Sequence, residues 1–158
     1  MKKTYQKDSD IYLRFAENED KIDLLNWRNE LETRKASFNT EKIDQKDHER
    51  WFNNSIKNKK RNIFIICDKN CNKLGQIRFD RGNDTAEVDI SLNPKYRNLG
   101  VGSLALSKGA NKYINNFDIN ILVARVKSNN IASLKAFQKA GFKIYKKFEN
   151  YVELRYEK

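Results

Sequence analysis

The fold of this chain is decided by one stretch, Asn93-Pro94-Lys95-Tyr96-Arg97-Asn98-Leu99-Gly100-Val101-Gly102. Residues 86–92 before it alternate between apolar and polar side chains, which predicts a strand, and Pro94 ends that strand because proline cannot donate to a central ladder. Residues 99–115 after it predict a helix, whose first amides lack internal partners and attract anions. Glycine lets a ligand oxygen approach that backbone without a Cβ in the way. The stretch therefore predicts a pyrophosphate seat with charge added by Arg97, although two glycines alone fit a simple turn equally well.

A second pattern follows between residues 130 and 142. Asn130 begins a helix predicted over 129–140, Phe137 lies on a later turn of that helix, and Gly141 ends it before Phe142 starts a strand. Taken alone, Asn130 fits a helix cap and Phe137 fits a core residue as readily as they fit a ligand site.

The rest of the chain predicts a single domain with the order β-α-α-β-β-β-α-β-α-β-β. Strands are expected at 11–15, 62–68, 74–79, 86–92, 119–126, 142–148 and 151–156. The two early helices are expected at 18–35 and from Asp44 onward. A chain of 158 residues fits one domain, which we place at 11–158 after a flexible N-terminus at 1–10.

Composition narrows the classes of protein. The longest apolar run, residues 63–67, is far shorter than the roughly 20 residues of a membrane span, so a cytoplasmic protein is expected. The two cysteines and one histidine do not complete a usual zinc site, and we predict two free thiols and no metal. The net charge of +11 fits nucleic-acid binding, a genome composition rich in Lys, Asn and Ile codons, or an anionic small substrate. The basic residues are spread evenly among acidic ones, and the motifs above favour the anionic substrate.

The two glycine-and-asparagine blocks together resemble those of the GNAT superfamily of N-acetyltransferases. Arg97, Gly100 and Gly102 match its first block, and Asn130, Phe137 and Gly141-Phe142 match its second. The resemblance implies an α/β (α+β) domain with a mixed sheet of about seven strands and about four helices, in which splayed central strands hold acetyl-CoA. It implies coenzyme contacts from Ile90, Ser91, Leu92, Arg97, Asn98, Leu99, Gly100, Val101, Gly102, Ser103, Asn130, Ser133 and Phe137.

One residue departs from the pattern of that family. The family often has a tyrosine at position 137, acting as general acid for the leaving thiolate, and Phe137 cannot donate a proton. We therefore expect Phe137 to pack against the coenzyme, with water as the acid or with the thiolate leaving unaided, because a thiol is only weakly basic.

The acceptor amine must be neutral to attack, so a base or a water relay is expected. Glu87 and Asp89 on the strand before the glycine loop are candidates, as is His48, whose unperturbed pKa lies near working pH. Each also fits an ordinary solvated side chain. The choice among the three stays open at this stage.

The N-terminal half bears on the acceptor. Residues 27–30 and 48–52 resemble the GNAT subgroup that acetylates nucleotide-linked amino sugars, in particular the 4-amino-sugar acetyltransferases of the pseudaminic-acid pathway. This resemblance implies Arg28, His48 and Trp51 as acceptor-binding residues and a UDP-linked 4-amino-4,6-dideoxy sugar as acceptor. The alternatives are a ribosomal-protein N-terminal acetyltransferase and a basic nucleic-acid-binding module without catalysis. We expect no membrane or nucleic-acid partner and leave a homodimer open.

Overall fold

A seven-stranded mixed sheet forms the centre of the protein. The computed structural model describes residues 3–158, with strands β1 (Ile11–Phe15), β2 (Arg61–Asp68), β3 (Lys73–Arg81), β4 (Thr85–Leu92), β5 (Ile121–Lys127), β6 (Lys143–Lys147) and β7 (Tyr151–Glu157). The strand order is β1-β2-β3-β4-β5-β7-β6, and β4 and β5 form its parallel pair. The sequence prediction of a single domain around about seven strands is confirmed, with strand ends shifted by one or two residues.

Five α-helices cover the sheet within residues 3–158: α1 (Lys21–Asn29), α2 (Leu31–Ala36), α3 (Gln45–Lys57), α4 (Val101–Asn116) and α5 (Ile131–Lys139). The single helix predicted over 18–35 is wrong, because the chain becomes extended at Glu30. The Glu30 carboxylate then accepts a hydrogen bond from the Thr33 amide at 3.0 Å and caps a new helix. The capped start predicted at Asp44 is confirmed, since its carboxylate accepts from the Asp47 amide at 2.8 Å.

The sheet separates two apolar clusters, as the alternation of β2 requires. Ile63 and Ile65 pack with Leu24, Trp27 and Phe52 of α1 and α3 on one face. The larger cluster lies on the other face, where the side chains of α4 and α5 cover the sheet. Packed side chains therefore cover both faces of the sheet, and a gap between two strands would give a ligand a route into it.

That route exists because β4 and β5 separate. Their parallel pairing covers the three positions Thr85–Glu87, which register with residues 121–123. Beyond Glu87, β4 continues to Leu92 on its pairing with β3, and β5 continues to Lys127 on its pairing with β7. The predicted splay of the central strands is confirmed, and it opens a gap beside residues 88–92.

The N-terminal segment packs against the start of α4. The Tyr5 side chain is 4% exposed, and its amide donates to the Leu99 carbonyl at 2.7 Å. The Tyr5 hydroxyl also donates to the buried carboxylate of Asp68 at 3.0 Å. The flexible segment placed at 1–10 is therefore corrected from Tyr5 onward, because a half-apolar tyrosine gains burial there that a polar segment would not. Residues 1 and 2 lie outside the described part.

Two further expectations concern cysteines and membranes. Cys67 is buried and Cys71 is exposed, and both are free thiols. No helix within residues 3–158 has the length and apolar character needed to cross a membrane.

A buried carboxylate holds α1 against the sheet. Asp20, which is fully buried, accepts from both terminal nitrogens of Arg14 at 2.8 and 2.9 Å and lies 2.7 Å from the ammonium of Lys73. Burial alone would raise the pKa of Asp20, but the hydrogen bonds from Arg14, Lys73 and the Glu17 amide outweigh it and hold the pKa below its ordinary value.

We expect Asp20→Asn to lower the free energy of unfolding by about 3 kcal/mol at neutral pH, because it removes the buried charge that holds the partly buried Arg14 and Lys73 and leaves Arg14 without its carboxylate partner. The pKa of Asp20 is lower in the folded protein than in the unfolded chain. Asp20 therefore stabilises the fold fully at pH values above its unfolded pKa, and this stabilisation is lost as the pH falls through its folded pKa. Urea unfolding at several pH values measures this. Asp23→Asn is the matched control, because Asp23 also binds Lys73 but is partly exposed; equal losses from both variants would contradict the prediction.

Candidate active site

One cavity of about 360 Å³ begins between α1 and α3 and extends into the gap between β4 and β5. Its residues come from α1, the 33–43 segment, α3, β3, β4, β5 and α5. They include Arg28, Phe38, His48, Trp51, Gln76, Arg78, Asp89, Ile90, Ser91, Arg125, Val126, Asn130, Ser133 and Phe137. Half of the side chains singled out in the sequence are thus brought together in one place, from both halves of the chain, whereas Glu87, Leu92 and the residues of the 97–103 loop do not line the cavity.

The strand edge in the gap supplies backbone groups. Ile90 and Ser91 line the cavity, whereas Leu92 lies at the end of β4, opposite Gly75 of β3, and packs against the core. Because a strand bonds to each neighbour through alternate residues, the groups of β4 that face β5 have no strand partner beyond Glu87. They are left to bond a ligand in the gap.

The predicted anion seat at the start of α4 is open. Asn98 and Gly100 are exposed, Gly102 and Ser103 are half-buried, and the side chain of Val101 is buried in the core. None of the amides of residues 98–103 has a backbone acceptor among residues 3–158. Asn98 and Gly100 have φ values of 60° and 89°, and left-handed residues of this kind are common in anion-binding loops.

The two glycines of this loop have different roles. A Cβ on Gly100 would collide with the carbonyl oxygen of Tyr5, and its φ of 89° already favours glycine. A Cβ on Gly102 would lie at ordinary distances of 3.7 and 3.9 Å from Ala136 and Leu92. The contact with Tyr5 and the left-handed backbone therefore explain why residue 100 is glycine. No contact within the described protein requires glycine at position 102.

The guanidinium of Arg97 is not free at this entrance. It donates to the Glu30 carboxylate at 2.5 Å and to the Thr33 hydroxyl at 2.7 Å. The hydrogen bond from Arg97 is the main reason that the pKa of Glu30 falls to about 2. The expectation that Arg97 adds charge to a pyrophosphate is corrected here, because its charge is neutralised by the carboxylate that caps α2.

The second block forms the far wall of the cavity. Asn130 caps α5 by accepting from the Ser133 amide at 3.2 Å, and both residues line the cavity. Phe137 is buried, meets Phe142 edge to face at 5.0 Å between ring centroids, and presents its remaining surface to the gap. Asn130 is therefore both a helix cap and a cavity residue, and Phe137 is both a core residue and a cavity residue.

His48 lies at the base of the cavity with 4% of its surface exposed. Its Nε2 lies 2.8 Å from the carbonyl oxygen of Lys21, which only accepts, so Nε2 carries the proton and Nδ1 is the accepting nitrogen. Burial lowers the pKa of His48 and favours the neutral ring. The ring stacks on Trp51 at 5.6 Å, which places Trp51 on the same wall.

The two candidate carboxylates of β4 differ in their position relative to the cavity. Asp89 is 52% exposed, lines the cavity, and accepts from the buried Gln76 side chain at 3.1 Å. Glu87 lies at the last paired position before the splay and bonds Arg125 at 2.9 Å. Of the described residues that line the cavity, Asp89 is the one carboxylate, so the structure brings Asp89 and His48 together and leaves Glu87 outside.

The acceptor end of the cavity is rich in cations. Arg28 donates through Nη2 to the Asn39 carbonyl at 2.6 Å, while its Nη1 is buried without a partner in the described structure. Burial lowers the pKa of Arg28. Arg78 and Arg125 also line the cavity, where Arg78 pairs with Asp80 at 3.0 Å and Arg125 with Glu87 at 2.9 Å.

Sequence reasoning missed Gln76, Arg78, Arg125 and Phe38 as lining residues. Gln76 and Arg78 lie on the same face of β3, directly opposite Ser91 and Asp89 in the strand register. This pairing could have been predicted from the sequence. Counting residues in both directions from the turn between β3 and β4 places Gln76 and Arg78 opposite Ser91 and Asp89.

Comparison with known proteins identifies a matching protein family. Residues 10–143 match the model of the acetyltransferase (GNAT) domain family. The chain is 30% identical, over 90% of each protein, to YwnH of Bacillus subtilis (strain 168), which carries the provisional name phosphinothricin acetyltransferase. Spermidine N-acetyltransferase of Vibrio cholerae, solved with CoA and spermine, superposes with a TM-score of 0.86 over 94% of this chain and 96% of that one at 16% identity. A crystal structure provisionally named as a phosphinothricin N-acetyltransferase gives a TM-score of 0.74 at 27% identity, over 92% and 95% of the two chains.

Proposed function

Because this protein belongs to the GNAT acetyltransferase domain family, we propose that the open amides of residues 98–103 hold the pyrophosphate of acetyl-CoA and that the gap between β4 and β5 takes its pantetheine arm. The protein is an acetyl-CoA-dependent N-acetyltransferase of the GNAT type, and its residues fit that co-substrate. The amides of residues 98–103 have no backbone acceptor within the described chain, and a methyl group at Gly102 would make only ordinary contacts with Ala136 and Leu92. Acetyl-CoA supplies the activated acyl group, which would lie beside Ile90 and Ser91.

The acceptor in this proposal is a small amine that also carries an anionic group. The observation that carries it is the buried, unpartnered Nη1 of Arg28 in the wall of the cavity. A buried donor without a partner is costly, and an acceptor oxygen from an anion would satisfy it. Arg78 and Arg125 also place positive charge on the cavity wall, although Arg78 pairs with Asp80 and Arg125 with Glu87 outside the cavity. This positive wall favours an anionic acceptor over a polyamine.

Among anionic amines, we favour a nucleotide-linked sugar, specifically the 4-amino group of a UDP-linked 4-amino-4,6-dideoxy sugar. Phe38 lines the mouth of the cavity with 59% of its surface exposed and contacts Tyr151 edge to face at 5.8 Å. An exposed ring there gives a planar base a stacking surface. Arg28 is near this ring, because its guanidinium donates a hydrogen bond to the carbonyl of Asn39, the residue that follows Phe38. The second candidate is an acidic amino acid such as phosphinothricin, which appears in the name of the relative 30% identical to this chain.

The amine in this proposal attacks the thioester directly. Asp89 faces it as proton acceptor or as the residue that orients a water, and His48 shapes the wall behind it. Backbone amides of β4 near Ser91 would stabilise the developing oxyanion. Phe137 gives no proton, so the thiolate leaves unaided or takes one from water; the low basicity of a thiolate permits this.

Thiol release from acetyl-CoA tests the acceptor. We would compare the UDP-linked 4-amino sugar, phosphinothricin, spermidine, and a peptide with a free N-terminus under the same conditions. The proposal expects the highest kcat/KM for the UDP-linked sugar. A higher value for spermidine or for the peptide would reject an anionic acceptor, and a higher value for phosphinothricin would replace the nucleotide with an amino acid.

Arg28→Gln gives a separate prediction. We expect KM for the anionic acceptor to rise about tenfold to a hundredfold, because a charged hydrogen bond contributes about 1.5 to 3 kcal/mol, while coenzyme affinity stays constant. Steady-state kinetics and calorimetry with CoA measure the two quantities. Arg34→Gln is the control, since Arg34 also bonds the neighbouring loop, at the Thr40 carbonyl. An equal rise in KM in both variants would assign the effect to the loop.

A further inference from the structure

Gln76 is a buried polar side chain that the proposed reaction does not use. It lies on β3 in register with Ser91 of β4, and 7% of its surface is exposed. Its Nε2 donates to Oδ2 of Asp89 and to Oγ of Ser91, each at 3.1 Å. A single amide therefore bonds two side chains that project from β4 into the cavity.

The orientation of this amide follows from chemistry. An ionised carboxylate only accepts hydrogen bonds, so the nitrogen of Gln76 must face Asp89. The two protons of that nitrogen then serve the two bonds, one each. The Ser91 hydroxyl, which accepts from Gln76, keeps its own proton free to donate into the gap.

We propose that Gln76 is a positioning residue for acetyl transfer, because it fixes the Asp89 carboxylate toward the amine and the Ser91 hydroxyl toward the thioester. Asp89 is half-exposed and would otherwise sample several rotamers. The donor leaves Oδ1 of Asp89 to meet the amine. This inference rests on the proposed function only in assuming that an amine enters beside Asp89, and it holds for any acceptor.

Other charges also face Asp89. Arg78 on β3 lies 4.0 Å from its Oδ2, Arg28 on α1 is close enough to interact with it, and His48 on α3 and Arg125 on β5 line the same cavity. These groups stay in place when only Gln76 is changed. A change in pH dependence can therefore be assigned to position 76.

Gln76→Glu tests the inference through the pH profile of kcat/KM. The variant places two carboxylates about 3 Å apart, which share a proton, so the acidic limb moves to higher pH by about one unit or more. Gln76→Met, which has similar length and no donor, should lower kcat about tenfold without changing the affinity for CoA. Gln138→Glu on the exposed face of α5 is the control for added charge.

A pH profile of Gln76→Glu that matches those of the native protein and Gln138→Glu would overturn the inference. If no amine in the acceptor panel is acetylated, the proposed function fails, and carboxyl-carbon NMR of labelled protein still decides the role of Gln76. The Asp89 signal should titrate at higher pH in Gln76→Glu than in the native protein. An unchanged titration would refute the pairing with no need for an acceptor.

Discussion

Gly102→Glu should weaken CoA binding by about a hundredfold or more, which corresponds to roughly 2.7 kcal/mol. The new carboxylate would stand in the first turn of α4, where the unpaired amides of residues 98–103 are proposed to bind a pyrophosphate. Like charges at this distance repel, and the carboxylate would also bond the amides intended for the ligand. Calorimetry with CoA measures the loss, and circular dichroism and thermal unfolding check that the fold persists.

Gly102→Ala is the matched control for this result. Its methyl group would lie 3.7 Å from Ala136 and 3.9 Å from Leu92, which are ordinary contacts, and alanine is a better helix former than glycine. We expect CoA affinity within about threefold of native and unchanged or higher thermal stability. Native affinity in Gly102→Glu would place the pyrophosphate elsewhere.

Gly100 cannot serve in the same experiment. Any side chain there meets the Tyr5 carbonyl and must adopt a left-handed backbone. A loss of binding in a Gly100 variant would therefore combine damage to the N-terminal packing with damage to the loop. The two glycines look equivalent in the sequence, and only the position of Tyr5 separates them.

The local patterns of the sequence predicted the fold well because they depend on neighbouring residues. The alternation of residues 86–92, Pro94 and the Asp44 cap act over a few positions, and the strands and α3 lie where these signals put them. The break at Glu30 was missed because it depends on a distant partner. Arg97 stabilises the Glu30 carboxylate from 67 residues away, and no local pattern records such a pair.

In the candidate site, too, residues that carry a local sequence pattern could be predicted, and residues that depend on distant contacts could not. Asn130, Phe137, Ser91 and Asp89 carry signals of spacing or alternation, and they line the cavity. Gln76 has no motif of its own, and its role appears only when the register of β3 and β4 places it beside Asp89. The charge on the cavity was equally hidden, because a net charge of +11 says nothing about which cations line a cavity.

Asp89→Asn should lower kcat/KM by about 10² to 10⁴-fold near neutral pH while leaving CoA affinity unchanged. Asparagine keeps the shape of the side chain and can still accept from Gln76, so the loss isolates the ability to take a proton. The deficit should shrink as pH rises, because a larger fraction of the acceptor amine is then already neutral. Measuring kcat/KM and CoA binding across pH checks both parts.

The comparison with Glu87→Gln and His48→Ala decides which group handles the proton. Glu87 is bonded to Arg125 outside the cavity, so its loss should matter less than that of Asp89. The proton on Nε2 of His48 is held by the Lys21 carbonyl, and burial lowers the pKa of its ring, so His48→Ala should reduce turnover through the shape of the wall. Its effect should then persist at high pH, where that of Asp89→Asn fades. If the loss in His48→Ala fades at high pH and that in Asp89→Asn does not, the base is His48.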